Sequence, residues 1–291
     1  MTVTVLEIIQ SAAKELGLTV PTTVVGSTDD LTQQLQALLE REGKACRDDV
    51  IWPEMSREYL ITIVDGQDSY ALPGDFNRTL FRTMWDRSNH WELLGPISAQ
   101  EWQFYKSGIV SSVPQRRFRV KGITEQQFYV HPVPPASDAG QTLVFEYQSA
   151  TWLLPVVWTA SATFAANSYC SYNGNIYTNT IGGTTGTTPP THTSGTVSDG
   201  GIDWTYGSQL YDTIRADTDI IIIDETVMCL GLQWRYLRSK KFDYASYLDE
   251  YNKEKQKAAN AFISAPTLSL RRRVSPIFIG PWSVPDSGFG N

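Results

Sequence analysis

The longest periodic run of apolar residues, between residues 224 and 264, is the feature that most constrains the fold of this chain. Apolar residues recur there at alternating steps of three and four, which is typical of an amphipathic helix. At 1.5 Å per residue, one helix from Asp224 to Ser264 would be roughly 60 Å long, whereas a mean helix has only about 11–12 residues. Such a helix needs partners along its whole length, and we expect neighbouring copies of the chain to supply them. The residues predicted to form this inter-subunit seam are Val227, Leu230, Trp234, Leu237, Tyr244, Leu248 and Tyr251.

Two shorter helices are predicted at the N-terminus. Apolar residues recur at helical spacing up to Gly17, and glycine commonly follows the end of a helix. A second helix is expected to begin near Asp29, where an acidic side chain caps a helix and complements its dipole, and to continue to about Arg47. Residues 1–58 are therefore predicted to be a helical hairpin. Together with residues 211–265, which contain the long run, they form a predicted helical frame.

Residues 59–154 carry a different pattern, in which short β-type runs are separated by Gly, Pro and Asp turns. The densest part, Ser69–Trp102, is rich in aromatic residues and contains no nucleophile motif, which is typical of a packing scaffold. Ser98 and Glu101 have the spacing of a capping box, so a short helix is expected to continue to about Lys106. We therefore predict an α+β fold in which a mainly antiparallel β region is held on the helical frame.

Residues 155–210 differ again, because the stretch 158–206 contains no Lys, Arg or Glu and is rich in Thr and Gly. Strand-length pieces alternate with Gly-Asn, Gly-Gly and Pro-Pro breaks, which predicts a small β module inserted into the frame; a disordered linker is the alternative. The candidate ligand-contact residues are Trp158, Tyr169, Tyr177 and Trp204. Their spacing is similar to that of carbohydrate-binding modules, and the resemblance implies exposed rings that stack on sugars. A decorating or interface-forming role is the other interpretation.

Residues 266–291 are predicted to form an extended tail, because Pro266 ends the helical pattern and three more prolines follow it. The tail also carries large apolar side chains that are costly to leave in water, so we expect it to dock in a groove on another protein. Three consecutive arginines among them favour an acidic partner surface; a solvated linker and nucleic-acid binding are the alternatives. The predicted docking residues are Leu270, Arg271, Arg272, Arg273, Ile277, Phe278, Ile279, Trp282 and Phe289.

The charge of the chain restricts its class of function. The formal net charge of −7 argues against a protein that grips nucleic acid by its phosphates. A second basic stretch, Arg116–Arg119, is expected to lie on an edge strand, with Arg117 and Arg119 on one face in water. The sequence therefore predicts that the protein does not bind DNA tightly.

No reaction centre is predicted from the residue types that catalysis and metal binding need. The three cysteines, Cys46, Cys170 and Cys229, are too far apart for a disulfide framework or a metal-ligand motif. The histidines lie in separate segments without a neighbouring nucleophile motif. We therefore expect no enzyme activity, no metal and no cofactor. The sequence shows neither a signal peptide nor an apolar run of roughly 18 residues, so we expect neither export nor a membrane span.

Four short motifs carry a family resemblance. They are Ile-x-x-Ala-Ala-x-x-Leu-Gly at 9–17, Ser-Tyr-x-Leu-Pro-x-Asp-Phe at 69–76, Trp-Asp-Arg at 85–87 and Gly-Pro-x-Ser-x-x-Glu-Trp at 95–102. Together with a long helix closed by a Pro, Gly and aromatic tail, they resemble the head-to-tail adaptor proteins of tailed bacteriophages, of the connector or tail tubular protein A type.

The resemblance implies a structural virion protein that forms a homo-oligomeric ring, commonly of twelve subunits, between the portal and the tail. Its implied partners are other copies of itself, the portal protein, a downstream tail or nozzle protein, and double-stranded DNA that passes through the channel without sequence-specific binding. Such proteins act at the head–tail junction of the virion and are made in the host cytoplasm. The alternative is a glycan- or receptor-binding virion protein that acts through residues 158–206.

Overall fold

The computed structural model describes residues 3–107, 115–122 and 126–261. Its α-helices are α1 (Val5–Glu15), α2 (Asp30–Asp49), α3 (Ala99–Lys106), α4 (Glu225–Ser239) and α5 (Ala245–Ala261). Its β-strands are β1 (Val3–Thr4), β2 (Ser56–Thr62), β3 (Ser69–Ala71), β4 (Phe76–Thr79), β5 (Trp85–Asp86), β6 (Trp91–Glu92), β7 (Arg117–Lys121), β8 (Gln127–His131), β9 (Thr142–Ser149), β10 (Leu153–Leu154), β11 (Thr163–Phe164), β12 (Tyr169–Tyr172), β13 (Asn175–Thr178), β14 (Gly183–Thr184), β15 (Thr196–Asp199), β16 (Ile202–Ser208) and β17 (Ile220–Ile221). The predicted α+β class with antiparallel sheets is confirmed.

The described residues divide into two compact units. The helical unit comprises residues 3–56 and 149–261, and the β unit comprises residues 57–148. In the helical unit, β17 pairs with both β1 and β10, so a small sheet joins its N-terminal and later segments. The helical unit is therefore built from segments far apart in the sequence.

The central helix of the helical unit is α4, since it packs against α1, α2 and α5. α1 begins at a capping box, in which the Thr4 hydroxyl accepts a hydrogen bond from the Glu7 amide and the Glu7 carboxylate accepts one from the Thr4 amide. α2 begins after Asp29, whose carboxylate accepts a hydrogen bond from the Thr32 amide. The two predicted N-terminal helices are therefore confirmed, and α2 ends at Asp49, close to the predicted end.

The prediction of one continuous helix over residues 224–264 is wrong. α4 and α5 are separated by a turn in which Lys241 has a positive φ of 62°. The ring centroids of Trp234 and Tyr251 lie 6.0 Å apart, whereas a single helix would separate residues so spaced by about 25 Å. α5 therefore folds back along α4, and the long run forms a helical hairpin.

The turn between α4 and α5 is hidden in the sequence because it preserves the apolar spacing. Leu237 and Tyr244 lie on either side of it at the separation of two helical turns. The turn sequence Lys-Lys-Phe-Asp contains neither Gly nor Pro, the residues that usually mark a chain reversal. The periodicity thus indicates a shared apolar face without showing where the chain reverses.

The seam predicted between subunits lies largely inside the chain itself. Four of its residues are at most 8% exposed and belong to the core cluster that also contains residues of α1 and α2. These four are Val227, Leu230, Trp234 and Tyr251. Tyr244 and Leu248 are half-buried against the same cluster, and Leu237 is half-buried. The predicted inter-subunit role is contradicted for the four buried residues, and the hairpin instead exposes its turn, where Phe242 is 61% exposed.

The segment predicted to be an inserted β module folds as one, within the helical unit. Its strands form a four-stranded antiparallel sheet in the order β12-β13-β16-β15, and β11 pairs with β14. Asn173 and Gly174 join β12 to β13, and both have positive φ, as a two-residue type I′ hairpin turn requires. The core of this module consists of Trp158, Phe164, Cys170, Tyr177, Ile202 and Trp204.

The β unit contains two antiparallel sheets. One has the order β2-β9-β5-β6, with β4 also paired to β9, and the other has the order β3-β8-β7. Phe128 stacks on Phe118 at 5.1 Å and on Phe145 at 5.3 Å, so the two sheets share one aromatic core. The predicted capping box is confirmed, since Ser98 Oγ accepts a hydrogen bond from the Glu101 amide at the start of α3.

Candidate functional site

The aromatic residues predicted to contact glycans lie inside the β module. Tyr177 and Trp204 are fully buried, and Trp158 is 9% exposed. The indole Nε1 groups of Trp158 and Trp204 both donate hydrogen bonds to Asp199 Oδ2, at 2.8 and 3.3 Å. A sugar stacks on an exposed ring face, so the prediction that these three rings form a stacking platform is wrong. They are used in the core that a module of this size needs.

The fourth candidate, Tyr169, contacts other residues of the helical unit. The guanidinium of Arg215 lies 4.6 Å from the centroid of its ring, and the ring of Tyr211 lies 5.8 Å away in an edge-on arrangement. Ile176, on the next strand, belongs to the core cluster of the helical unit. These contacts attach the module to the helices through its first two sheet strands.

Asp199 organises the core of the module, and its replacement should unfold that core. Its two oxygens accept hydrogen bonds from two indole groups and from the amide of Gly186. Asp199→Ala leaves three donors without their acceptor, at about 1–3 kcal/mol for each buried group, so we expect the module to lose about 3 kcal/mol or more. Limited proteolysis should then cleave within residues 155–210. Asp203→Ala, at an exposed position on β16, is the control, and equal cleavage rates for the two variants would contradict the prediction.

A buried ion pair joins α2 to α4. Glu42 is fully buried, and its carboxylate accepts a hydrogen bond from Arg235 Nε. Gly231 lies opposite, where an added Cβ would overlap the Glu42 side chain. Gln233 Nε2 also donates a hydrogen bond to Glu15 Oε2 at 2.6 Å, which links α4 to α1. These contacts set the relative positions of the three helices.

The strand β7 lies at a sheet edge, as predicted, but Arg117 and the preceding Arg116 are only 9% exposed. Arg116 Nη1 lies 2.5 Å from Asp86 Oδ2, and its Nη2 lies 2.6 Å from Asp138 Oδ2. The same Nη2 donates a hydrogen bond to Gln141 Oε1 at 2.7 Å. The expectation that Arg117 faces water is therefore wrong, and the charge of the neighbouring Arg116 neutralises carboxylates inside the β unit.

The three cysteines are buried in the fold. Burial raises the pKa of the Cys46 and Cys170 thiols to about 12 and that of the Cys229 thiol to about 11, so all three stay protonated near neutral pH. Within residues 3–107, 115–122 and 126–261, no group of His, Cys, Asp or Glu is arranged to hold a metal ion. No helix in this part of the chain is long and apolar enough to cross a membrane.

The architecture of two capped N-terminal helices, a β unit and an inserted module can be compared with known proteins. The sequence model of a family described as SU10 adaptor protein matches residues 3–177, which is more than half of the chain. The chain belongs to this adaptor family. No curated protein matches it significantly. The adaptor is therefore a structural phage protein and a virion component, which confirms the coarser part of the predicted function.

The range of the family match shows which parts of the adaptor are shared. It covers α1, α2, the whole β unit and the first strands of the inserted module, and it ends at Tyr177 in β13. The helices α4 and α5 lie beyond it. The predicted docking residues, Leu270 to Phe289, lie outside the described residues.

Sequence reasoning missed the contacts that hold the adaptor's elements together. Glu42 and Arg235 are separated by 193 positions, and no local spacing connects them. A second missed feature is a set of cations and aromatic rings around α3 and β7. Its only sequence signal was the alternation of Arg117 and Arg119 with Phe118.

Proposed function

We propose that this adaptor assembles as a ring between the portal and the tail, extends the DNA channel, and docks on the portal through residues 266–291. Membership of the adaptor family is the observation that carries this proposal. An adaptor must contact proteins on two sides, and the sequence of residues 266–291 is rich in apolar and basic residues. The proposed ring has twelve subunits, as is common in the family that the sequence resembles.

The burial of the α4–α5 seam supports a subunit that folds before it assembles. The core cluster of the helical unit is closed by the chain's own helices, so it needs no second copy to bury it. The ring contacts must then use exposed surfaces. An isolated chain should therefore be a folded monomer that can be tested for binding to portal rings.

Residues 266–291 are the proposed portal anchor. They combine three arginines with Ile277, Phe278, Ile279, Trp282 and Phe289, and their prolines favour an extended backbone. An extended segment in which a basic run precedes several apolar anchors suits a groove that has both an apolar and an acidic part. The remainder of the chain is acidic, so the anchor differs in charge from the body that it would attach.

Deleting residues 266–291 should abolish binding to purified portal rings and leave the rest of the chain folded. Binding is measured by co-sedimentation, and folding by circular dichroism and urea unfolding. A full-length chain with these 26 positions permuted keeps the composition and charge of the tail, and it should also fail to bind if the order of anchors matters. If the truncated chain co-sediments as well as the complete one, the anchoring role is wrong. The number of adaptor subunits in the ring is determined independently, from electron micrographs of the complex with the portal.

A further inference from the structure

We propose that a cation-bearing face of the β unit, formed by α3 and β7, binds the phosphate backbone of duplex DNA. We call it the basic face and define it by Lys106, Arg117, Arg119 and Lys121. The inference rests on the proposed function, because a DNA channel is what would bring a duplex to this protein. It adds the residues and the chemistry of that contact.

The pairing of β7 with β8 places three of the cations on one side of the sheet. Arg117 pairs with His131, Arg119 with Tyr129 and Lys121 with Gln127. Phe118, between the first two arginines, points the other way, into the core of the β unit. At about 3.3 Å per residue, successive cations along the strand stand roughly 7 Å apart. β7 therefore carries three cations on one side, of which Arg117 is buried, Arg119 half-buried and Lys121 exposed.

The helix α3 adds a fourth cation and a rigid aromatic support. Trp102 is only 2% exposed and packs edge-on against Tyr129, with ring centroids 6.2 Å apart. The ammonium groups of Lys106 and Lys121 each lie 5.6 Å from the centroid of the Trp102 ring, and that of Lys121 lies 4.0 Å from the Tyr129 ring. Cation–π attraction of this kind holds an ammonium group in place and leaves its N–H donors available.

In the part of the chain that the structure describes, the cations of the basic face outnumber the carboxylates that interact with them. Asp68 accepts a hydrogen bond from Lys106 at 2.8 Å, and Glu101, at the start of α3, interacts electrostatically with Arg117. Across the described residues, neither Arg119 nor Lys121 takes part in an ion pair. Among the described residues, four cations against two carboxylates leave a local excess of positive charge on a chain whose formal net charge is −7.

Two observations on groups behind the basic face indicate the same excess of positive charge. The pKa of His131 is lowered, first by burial and then by the positive charges of Lys106 and Arg117. Arg117 lies over the ring of Tyr105 at 3.8 Å, and its buried Nη1 has no hydrogen-bond partner among the described residues. Bringing like charges together in this way costs free energy, which an anion on the face would offset.

Phosphate is a better match than an acidic protein surface because of the residue types on the face. Lysine is depleted at the core of protein–protein interfaces, whereas Lys and Arg supply many of the phosphate contacts in protein–DNA complexes. Lys106, Arg119 and Lys121 offer charge and donors, Arg117 is only 9% exposed and adds charge alone, and the described residues of the face form no pocket that could distinguish bases. Contacts this few give weak, sequence-independent binding, which suits DNA that moves past the adaptor and agrees with its overall acidic charge.

The test is a fluorescence-anisotropy titration of the full chain against a labelled duplex of arbitrary sequence at several salt concentrations. We expect saturable binding at low salt. The double variant Arg119→Gln, Lys121→Gln removes two phosphate contacts, so the slope of log affinity against log salt should fall by about 2 and the affinity at low salt by about tenfold or more. Lys253→Gln, Lys257→Gln makes the same charge change on exposed side chains of α5, and it should leave both quantities unchanged.

Several outcomes would overturn the basic face. They are no saturable binding by the wild-type chain at low salt, equal losses in the two double variants, and tighter binding of poly-L-glutamate than of DNA at the same charge concentration, which would favour an acidic protein as the partner. Urea unfolding checks that each variant is folded. If the double variant is not folded, the single variant Lys121→Gln, at an exposed position, replaces it. Binding to portal rings is measured in parallel and should be unaffected by the double variant. A wild-type chain that binds DNA but not the portal would refute the proposed anchor and leave the basic face standing.

Discussion

Replacing Gly43 with alanine should lower the free energy of unfolding of the helical unit by about 2–3 kcal/mol, although alanine is the better helix former. Gly43 lies inside α2, where alanine is favoured over glycine by about 1 kcal/mol on propensity alone. A Cβ at this position would overlap three carbon atoms of the Trp152 indole ring. Trp152 is fully buried, and its Nε1 donates a hydrogen bond to the Asp212 carbonyl at 2.9 Å, so the ring cannot move aside freely. The overlap should therefore outweigh the gain in propensity.

Urea unfolding followed by tryptophan fluorescence measures this loss. Gly74→Ala is the matched control, because a Cβ at that glycine would meet no atom within 4 Å and its φ is not positive. That control should change stability by less than about 1 kcal/mol, with a small gain from the stiffer unfolded chain. A Gly43→Ala chain that is as stable as the wild type would mean that Trp152 repacks at no cost, and the tight contact would lose its significance.

Arg116→Met should destabilise the β unit by about 3–5 kcal/mol, the cost expected for removing one partner of a buried ion pair. Asp86 is 4% exposed, and it would lose the guanidinium that lies 2.5 Å away. Asp138 and Gln141 would lose a donor at the same time. Methionine keeps much of the side-chain volume, so the loss would report charge and hydrogen bonding more than a cavity.

An exposed ion pair in the same unit provides the comparison for Arg116. Arg87 and Glu58 lie 2.7 Å apart, but their side chains are 51% and 43% exposed. Arg87→Met should therefore lower the free energy of unfolding by no more than about 1 kcal/mol, because water solvates the Glu58 carboxylate when the guanidinium is absent. Urea unfolding of the two variants side by side measures the difference. Equal midpoints would show that burial does not strengthen the Arg116 contacts.

The features that were predicted correctly depend on residues close together in the sequence. The capping box at Ser98 and Glu101, the cap at Asp29 and the Gly-Asn break at Gly174 each act within a few residues. Alternating strands, turn residues and helical spacing were sufficient to predict the α+β class and the folded inserted module. The range that the adaptor family model matches contains the four motifs on which the sequence resemblance was based.

The features that were predicted incorrectly depend on what covers a side chain. Trp204 is an aromatic residue on a strand, and nothing in its neighbourhood along the chain distinguishes an exposed sugar platform from a core residue bonded to Asp199. Arg117 alternates with Phe118 as a surface residue would, yet α3 covers it.

The sequence by itself determined which residues share a face, because side-chain direction follows from a fixed backbone period. Only the tertiary structure decided what each face meets. The apolar run from Val227 to Tyr251 shows this difference, since its spacing is the same for one long helix between subunits and for two helices closed on each other. Because the chain reverses at Lys241, it adopts the arrangement of two helices closed on each other. Apolar side chains buried between α4 and α5 stabilise this arrangement, and their contacts cannot be inferred from the spacing of residues along the chain.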